Sequence, residues 1–111
     1  MDSDPVLAAT GDAPYTAVIF TSVRRTAAGS PEYAEAARRM VELAREQPGY
    51  LGIESATSAG LGVTVSYWTS PAAARAWKAV GEHAAVQALG RRRWYADYRV
   101  RIATVERDYG P

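Results

Sequence analysis

The sequence predicts an α+β fold, an antiparallel sheet with strands and helices in the order β-α-β-β-α-β. Three observations carry this. Four segments hold the β-branched and aromatic residues typical of strands, and two hold apolar stripes at helical spacing. Both helical segments open on Ser-Pro, at Ser30-Pro31 and again at Ser70-Pro71. The middle two strands meet at Ser58-Ala59-Gly60, a spacing that suits a hairpin. A strand–helix–strand unit used twice in this way is the ferredoxin-like split βαβ arrangement.

The first strand covers residues 15–23, with Ala17, Ile19 and Thr21 on one face and Val18, Phe20 and Ser22 on the other. Neither face is clearly polar, so both are expected to be covered. Ser30 then serves as N-cap and Pro31 as first helical residue, where a missing N–H costs nothing. Tyr33, Ala37, Met40, Val41 and Ala44 form the apolar stripe, opposite Glu35, Arg38, Arg39, Glu42 and Glu46, with Glu35–Arg39 expected as an i,i+4 pair. Pro48-Gly49 stops the helix. Strands follow at 50–57 and 61–69. The second helix runs from Pro71 to about Val80, and Gly81 is expected to interrupt it before a short continuation over 82–89 that Gly90 ends. The last strand, 97–107, alternates Tyr98, Val100 and Ile102 against Arg99, Arg101 and Ala103. Two helices cover one face of such a sheet. The other face still carries apolar residues, which predicts a sheet-to-sheet homodimer.

With 111 residues the chain makes one domain, expected as a flexible tail over 1–13 and a folded unit over 14–111. The net charge of +1 supplies no long-range field for nucleic acid or an anionic membrane. The absence of cysteine removes disulfides, thiolate catalysis and Cys-based metal sites, and a single histidine cannot build a multi-His metal site within one protomer. No stretch approaches the roughly 20 apolar residues of a membrane span. The first 13 residues lack the basic start and apolar run of a signal peptide, so a cytoplasmic location is expected.

All three tryptophans and the one histidine fall between Tyr67 and Tyr95. Trp68 ends a strand and Trp77 lies in the next helix, so both can reach the layer between sheet and helices. They are either hydrophobic core or, with Tyr67, walls of a cleft. His83 is either a hydrogen-bonded or exposed surface residue or a proton acceptor for a ligand. In the run Gly90-Arg91-Arg92-Arg93-Trp94-Tyr95 the guanidinium groups can satisfy helix carbonyls and strand carboxylates, or one of them can clamp an anionic group. Glu54, mid-strand, is expected to face solvent or a dimer interface. No phosphate loop, nucleophile elbow or HExxH motif is present.

The segments Gln47-Pro48-Gly49-Tyr50-Leu51-Gly52-Ile53-Glu54-Ser55, Val65-Ser66-Tyr67-Trp68-Thr69-Ser70, Ala76-Trp77-Lys78, Glu82-His83 and Gly90-Arg91 with Trp94-Tyr95 resemble the antibiotic biosynthesis monooxygenase superfamily, over about residues 15–109. The resemblance implies a dimeric α+β barrel, two ferredoxin-like sheets face to face, with a pocket between sheet and helices in each protomer. It implies a cofactor-independent monooxygenase or allied enzyme acting with O₂ on a flat aromatic or polyketide-like small molecule. His83 would be the catalytic base, and Tyr67, Trp68, Trp77, Arg91, Trp94 and Tyr95 would bind substrate, with neither metal nor cofactor. The haem-degrading branch of the superfamily uses an Asn–Trp–His set. Trp77 matches that Trp, but Gln87 stands where its His falls, and the chain has no Asn. Haem binding, with His83 as axial ligand, is the alternative reading; a non-enzymatic binding dimer is another.

Overall fold

The computed structural model describes residues 6–25, 31–87 and 95–111, with the backbone alone for Glu32 and residues 82–87. The strands β1 (Tyr15–Arg24), β2 (Tyr50–Ser58), β3 (Leu61–Trp68) and β4 (Tyr95–Val105) alternate with helices α1 (Pro31–Arg45) and α2 (Pro71–Gln87) in the expected order. The sheet runs β2-β3-β1-β4, and every neighbouring pair is antiparallel. This is the ferredoxin-like arrangement.

Register assigns the two faces. Val18 lies opposite Ser66 on β3 and Ile102 on β4, so Thr16, Val18, Phe20 and Ser22 share a face with Ser66, Trp68, Val100 and Ile102. Both helices cover this face: Val18 and Trp68 pack with Ala44 of α1 and Ala74 of α2, and Tyr50, Ala73, Trp77 and Val100 close around them. The opposite face carries Tyr15, Ala17 and Ile19 with Val63, Val65 and Tyr67. Cover on both faces holds for the first half of β1, where residues 15–18 are buried; beyond it Ser22 is buried on the helix side, but Ile19, Phe20 and Thr21 are half-buried and Val23 is exposed.

The β2–β3 turn is tighter than the sequence implied. Ser58 still pairs with Leu61, leaving Ala59 and Gly60 as a two-residue connection with φ of 51° and 88°. Positive φ at both central positions is the geometry whose twist matches the strands it joins. On α1, Glu35 pairs with Arg38 rather than with Arg39, and Glu42 takes both arginines. Ala37, expected on the apolar stripe, is exposed, while Ala36 is half-buried. Gly49 follows at φ +84°, where a Cβ would stand 2.7 Å from both Ala73 Cβ and Thr69 Oγ1. Glycine is thus needed there both for its backbone conformation and for its lack of a side chain.

Ser70 caps α2, its Oγ accepting from the Ala73 N–H at 3.1 Å, as the Ser-Pro pair predicted. The corresponding cap at Ser30 and the stop at Gly90 lie outside the described residues. The expected break at Gly81 does not occur; α2 runs unbroken to Gln87. A Cβ on buried Gly81 would lie 3.2 Å from Met40 Cε, so the missing side chain lets α1 approach. Glycine inside the helix sacrifices roughly 1 kcal/mol of helix propensity relative to alanine, yet the helix continues through it.

β4 begins two residues before its expected start, through an irregularity in pairing: Val23 pairs with Asp97 but Arg24 pairs with Tyr95. Residues 6–13 of the expected tail are irregular but hold the sheet at two points. The Ala8 N–H donates to Glu54 Oε2 at 2.9 Å, and Thr10 Oγ1 donates to Asp108. Gly52 makes room for this passage, since a Cβ there would meet Ala8 Cβ at 2.6 Å.

Candidate functional site

The shift in pairing at Val23 is a bulge that changes which way Tyr95 points. Strict alternation would set Tyr95 and Tyr98 on opposite faces. With one residue extra between them, Tyr95 pairs with Arg24 and Tyr98 with Ser22, and both join Phe20 on the helix side. Phe20 meets Tyr95 edge-on at 5.5 Å and Tyr98 at 5.8 Å between centroids. Tyr33, from the first turn of α1, meets Tyr95 edge-on at 5.9 Å, and their hydroxyls lie 3.2 Å apart. Arg24 lays its guanidinium over the Tyr33 ring at 4.7 Å, a cation–π contact. Tyr98 and Ile102 keep 40 % and 46 % of their surface exposed, so this cluster is the open part of the helix-side face.

Deeper in, Trp68 and Trp77 stack at 5.6 Å with 20° between planes, and Tyr50 meets Trp68 edge-on. Trp68 is fully buried and its Nε1–H donates to Ser66 Oγ at 2.9 Å. It is therefore the base of the helix-side layer, with Trp77 its half-buried cover.

Of the residues singled out in the sequence, Trp68, Trp77 and Tyr95 come to one face. Tyr67 does not join them, because successive strand residues point to opposite sides. Its ring meets Tyr15 edge-on at 5.7 Å, and its hydroxyl donates to Glu54 Oε1 at 2.7 Å. Burial, and then that hydrogen bond to a carboxylate, push the Tyr67 phenol up to about 12. Tyr15 is raised in the same direction, chiefly because its hydroxyl donates to Asp108 at 2.6 Å. Glu54 thus takes hydrogen bonds from Tyr67 and from Ala8, a role its mid-strand position did not reveal.

His83 lies on the backbone of α2; its side chain is outside what is described. Because the helix does not break, six residues at about 100° each leave His83 roughly 120° around the axis from Trp77. It does not realign with that ring, as a break at Gly81 would have allowed. Along the axis, the roughly 1.5 Å rise per residue carries α2 about 18 Å from Pro71 to His83. That is toward the sheet end where β1 finishes and β4 begins, the end of Arg24 and Tyr95. Arg91 and Trp94 lie outside the described residues, as do Arg92 and Arg93.

Phe20, Tyr33, Tyr98 and Arg24 were missed as a group. Tyr33 reads as an ordinary stripe residue, and the bulge that gathers the others leaves no mark in sequence. A separate groove of about 380 Å³ lies at the start of α2, between Gln47, Pro48, Gly49 and Ser70, Ala73, Ala76. Among the described residues no group of three His, Cys, Asp or Glu side chains converges, and no helix is long and apolar enough to cross a membrane.

Residues 14–89 match the family model of the antibiotic biosynthesis monooxygenases, and the chain belongs to that family. It is 48% identical over 102 residues to the uncharacterized protein YqjZ of Bacillus subtilis (strain 168), spanning 91% of this chain and 88% of that one. Among solved structures it is similar to SnoaB, a cofactor-independent oxygenase from Streptomyces nogalater, with a TM-score of 0.68 at 17% identity over 86% of this chain and 97% of that one. The heme-degrading protein Rv3592 of Mycobacterium tuberculosis also shares the fold, with a TM-score of 0.56 at 20% identity over 87% of this chain and 98% of that one.

Proposed function

We propose that this protein is a cofactor-independent monooxygenase-type enzyme that takes a flat aromatic small molecule on the helix-side face of β1 and β4. The observation that supports it is the ring cluster of Phe20, Tyr33, Tyr95 and Tyr98, open at Tyr98 and Ile102. Edge-to-face rings of this kind present polarizable surface to a planar guest. Family membership and the likeness to an oxygenase described as cofactor-independent support the reaction class.

In this reading a phenol or enol of the substrate loses a proton, and the carbanion form gives electrons to O₂. One oxygen atom enters the substrate and the other leaves as water, so a CH₂ flanked by aromatic rings becomes C=O. His83 is the proton acceptor, Trp77 and Tyr95 bound the site, and Arg91 and Trp94 complete it. The apolar sheet face left by Val23, Leu61 and Val63, which are 45 %, 49 % and 36 % exposed, is covered by a second copy in a sheet-to-sheet homodimer.

Oxygen uptake with 1,8-dihydroxyanthrone tests the reaction. Consumption well above the buffer background is expected, reduced at least tenfold in His83→Ala. Unchanged turnover in that variant overturns the role of His83, and no turnover above background with this or related anthrones overturns the reaction class. For the assembly, sedimentation at micromolar concentration should give the mass of two chains; a single-chain mass removes the barrel.

A further inference from the structure

Arg24 ends β1 at the head of the ring cluster. Its guanidinium carbon lies over the Tyr33 ring, 4.7 Å from the centroid, on the same face of the sheet as Phe20 and Tyr95. The ion pairs of Arg38 and Arg39 with Glu35 and Glu42 lie on α1, and none of them reaches Arg24. Its Nε–H is shut from solvent and has no hydrogen-bond acceptor among the described residues. A permanently charged guanidinium set over a ring, with no carboxylate paired to it among the described residues, is an arrangement for which an oxyanion meeting the Nη groups, and not the enclosed Nε–H, is the natural complement.

We propose that the cluster is a subsite for an anionic aromatic ligand, an aryl carboxylate whose ring lies on Phe20, Tyr95 and Tyr98 while Arg24 takes the carboxylate. This rests on the helix-side face being the ligand site and adds the charge of the ligand. The distance from ring to charge follows from the geometry. Arg24 follows Phe20 by four residues on the same strand face, with Tyr95 directly across from it, so the carboxylate belongs at the rim of the ligand and not buried under α2. The contact with the Tyr33 ring restrains the Arg24 side chain before binding, so that less side-chain freedom is lost.

Calorimetric titration with 2-naphthoate and with its neutral methyl ester tests this. The wild-type protein should bind the acid at least tenfold more tightly than the ester. Arg24→Gln should lower affinity for the acid at least tenfold and change that for the ester less than threefold. Arg24→Lys should recover only part of the loss, since an ammonium neither stacks on Tyr33 nor offers a fork. Equal binding of acid and ester by the wild type overturns the anion subsite while leaving the aromatic site standing. Binding of neither probe at millimolar concentration overturns both. A preference for the acid that survives Arg24→Gln overturns the assignment to Arg24. Should Arg24→Gln fail to fold by circular dichroism, the acid–ester comparison on the wild type and on Arg24→Lys still decides.

Discussion

Trp68 and Trp77 lie nine residues apart in sequence and stack with 5.6 Å between ring centroids and 20° between planes. The pair joins the end of β3 to the middle of α2 and carries the helix layer onto the sheet. Trp68→Ala removes a fully buried ring and should cost about 3–5 kcal/mol. Trp77→Ala, at a half-buried position, should cost less. In a double-mutant cycle by urea unfolding, the two should show a coupling of about 0.5–1.5 kcal/mol; additive losses would mean that the stack itself contributes nothing.

Gly81 tests the packing of α1 on α2. In Gly81→Ala the new Cβ is crowded only by the flexible end of Met40, at 3.2 Å, and meets Trp77 Cζ2 in ordinary contact at 3.9 Å. Met40 can turn aside, so the gain in helix propensity of up to about 1 kcal/mol should prevail. Gly81→Val adds branched bulk at a buried site and should destabilise by about 1–3 kcal/mol. Thermal unfolding of the two variants should therefore move in opposite directions, and a destabilised Gly81→Ala would show that Met40 is locked.

The hairpin turn holds Ala59 at φ 51°, where an ordinary side chain crowds the backbone at a cost of about 1–2 kcal/mol. Asn tolerates this region better and precedes glycine in the favoured two-residue turn. Ala59→Asn should raise stability by about 0.5–1 kcal/mol, visible as a higher midpoint in urea with an unchanged slope. No change would mean that the strain is relieved elsewhere in the turn.

Tyr67 predicts behaviour at high pH. An unfolded tyrosine ionises near 10, whereas Tyr67 in the folded chain holds its proton to about 12. Its contribution to stability is thus fully present below pH 10 and is lost as pH rises from there through about 12, because the unfolded chain gives up the proton first. Absorbance titration at 295 nm should show a late-ionising component that shrinks by one phenol in Tyr67→Phe, while the raised Tyr15 remains. Glu54→Gln should bring the Tyr67 phenol to lower pH, since it removes the carboxylate that accepts its hydrogen bond at 2.7 Å.

Haem offers a check on the competing reading. Without an Asn in the chain, and with Gln87 where the resemblance to the haem-degrading branch would put its His, haem titration should give no saturable Soret shift. A saturable shift abolished by His83→Ala would replace the cofactor-free reading with a haem site.

Sequence alone determined the element order, the hairpin, the Ser70 cap and the residues that resemble the family, because each rests on local signals: periodicity, a cap, a turn, a short motif. Strand alternation also already implied that Tyr67 and Trp68 part company, although their proximity in sequence suggested one site. Tertiary structure decided the rest. Gly81 reads as a breaker until Met40 of the other helix is seen against it. The bulge that turns Tyr95 toward Phe20 and Tyr98 exists only in the pairing of β1 with β4, strands about 70 residues apart. Arg24 acquires its meaning from Tyr33 on a different element. Local chemistry fixes periodicity and ends; which faces meet, and which polar group is left unanswered between them, depends on partners distant in sequence.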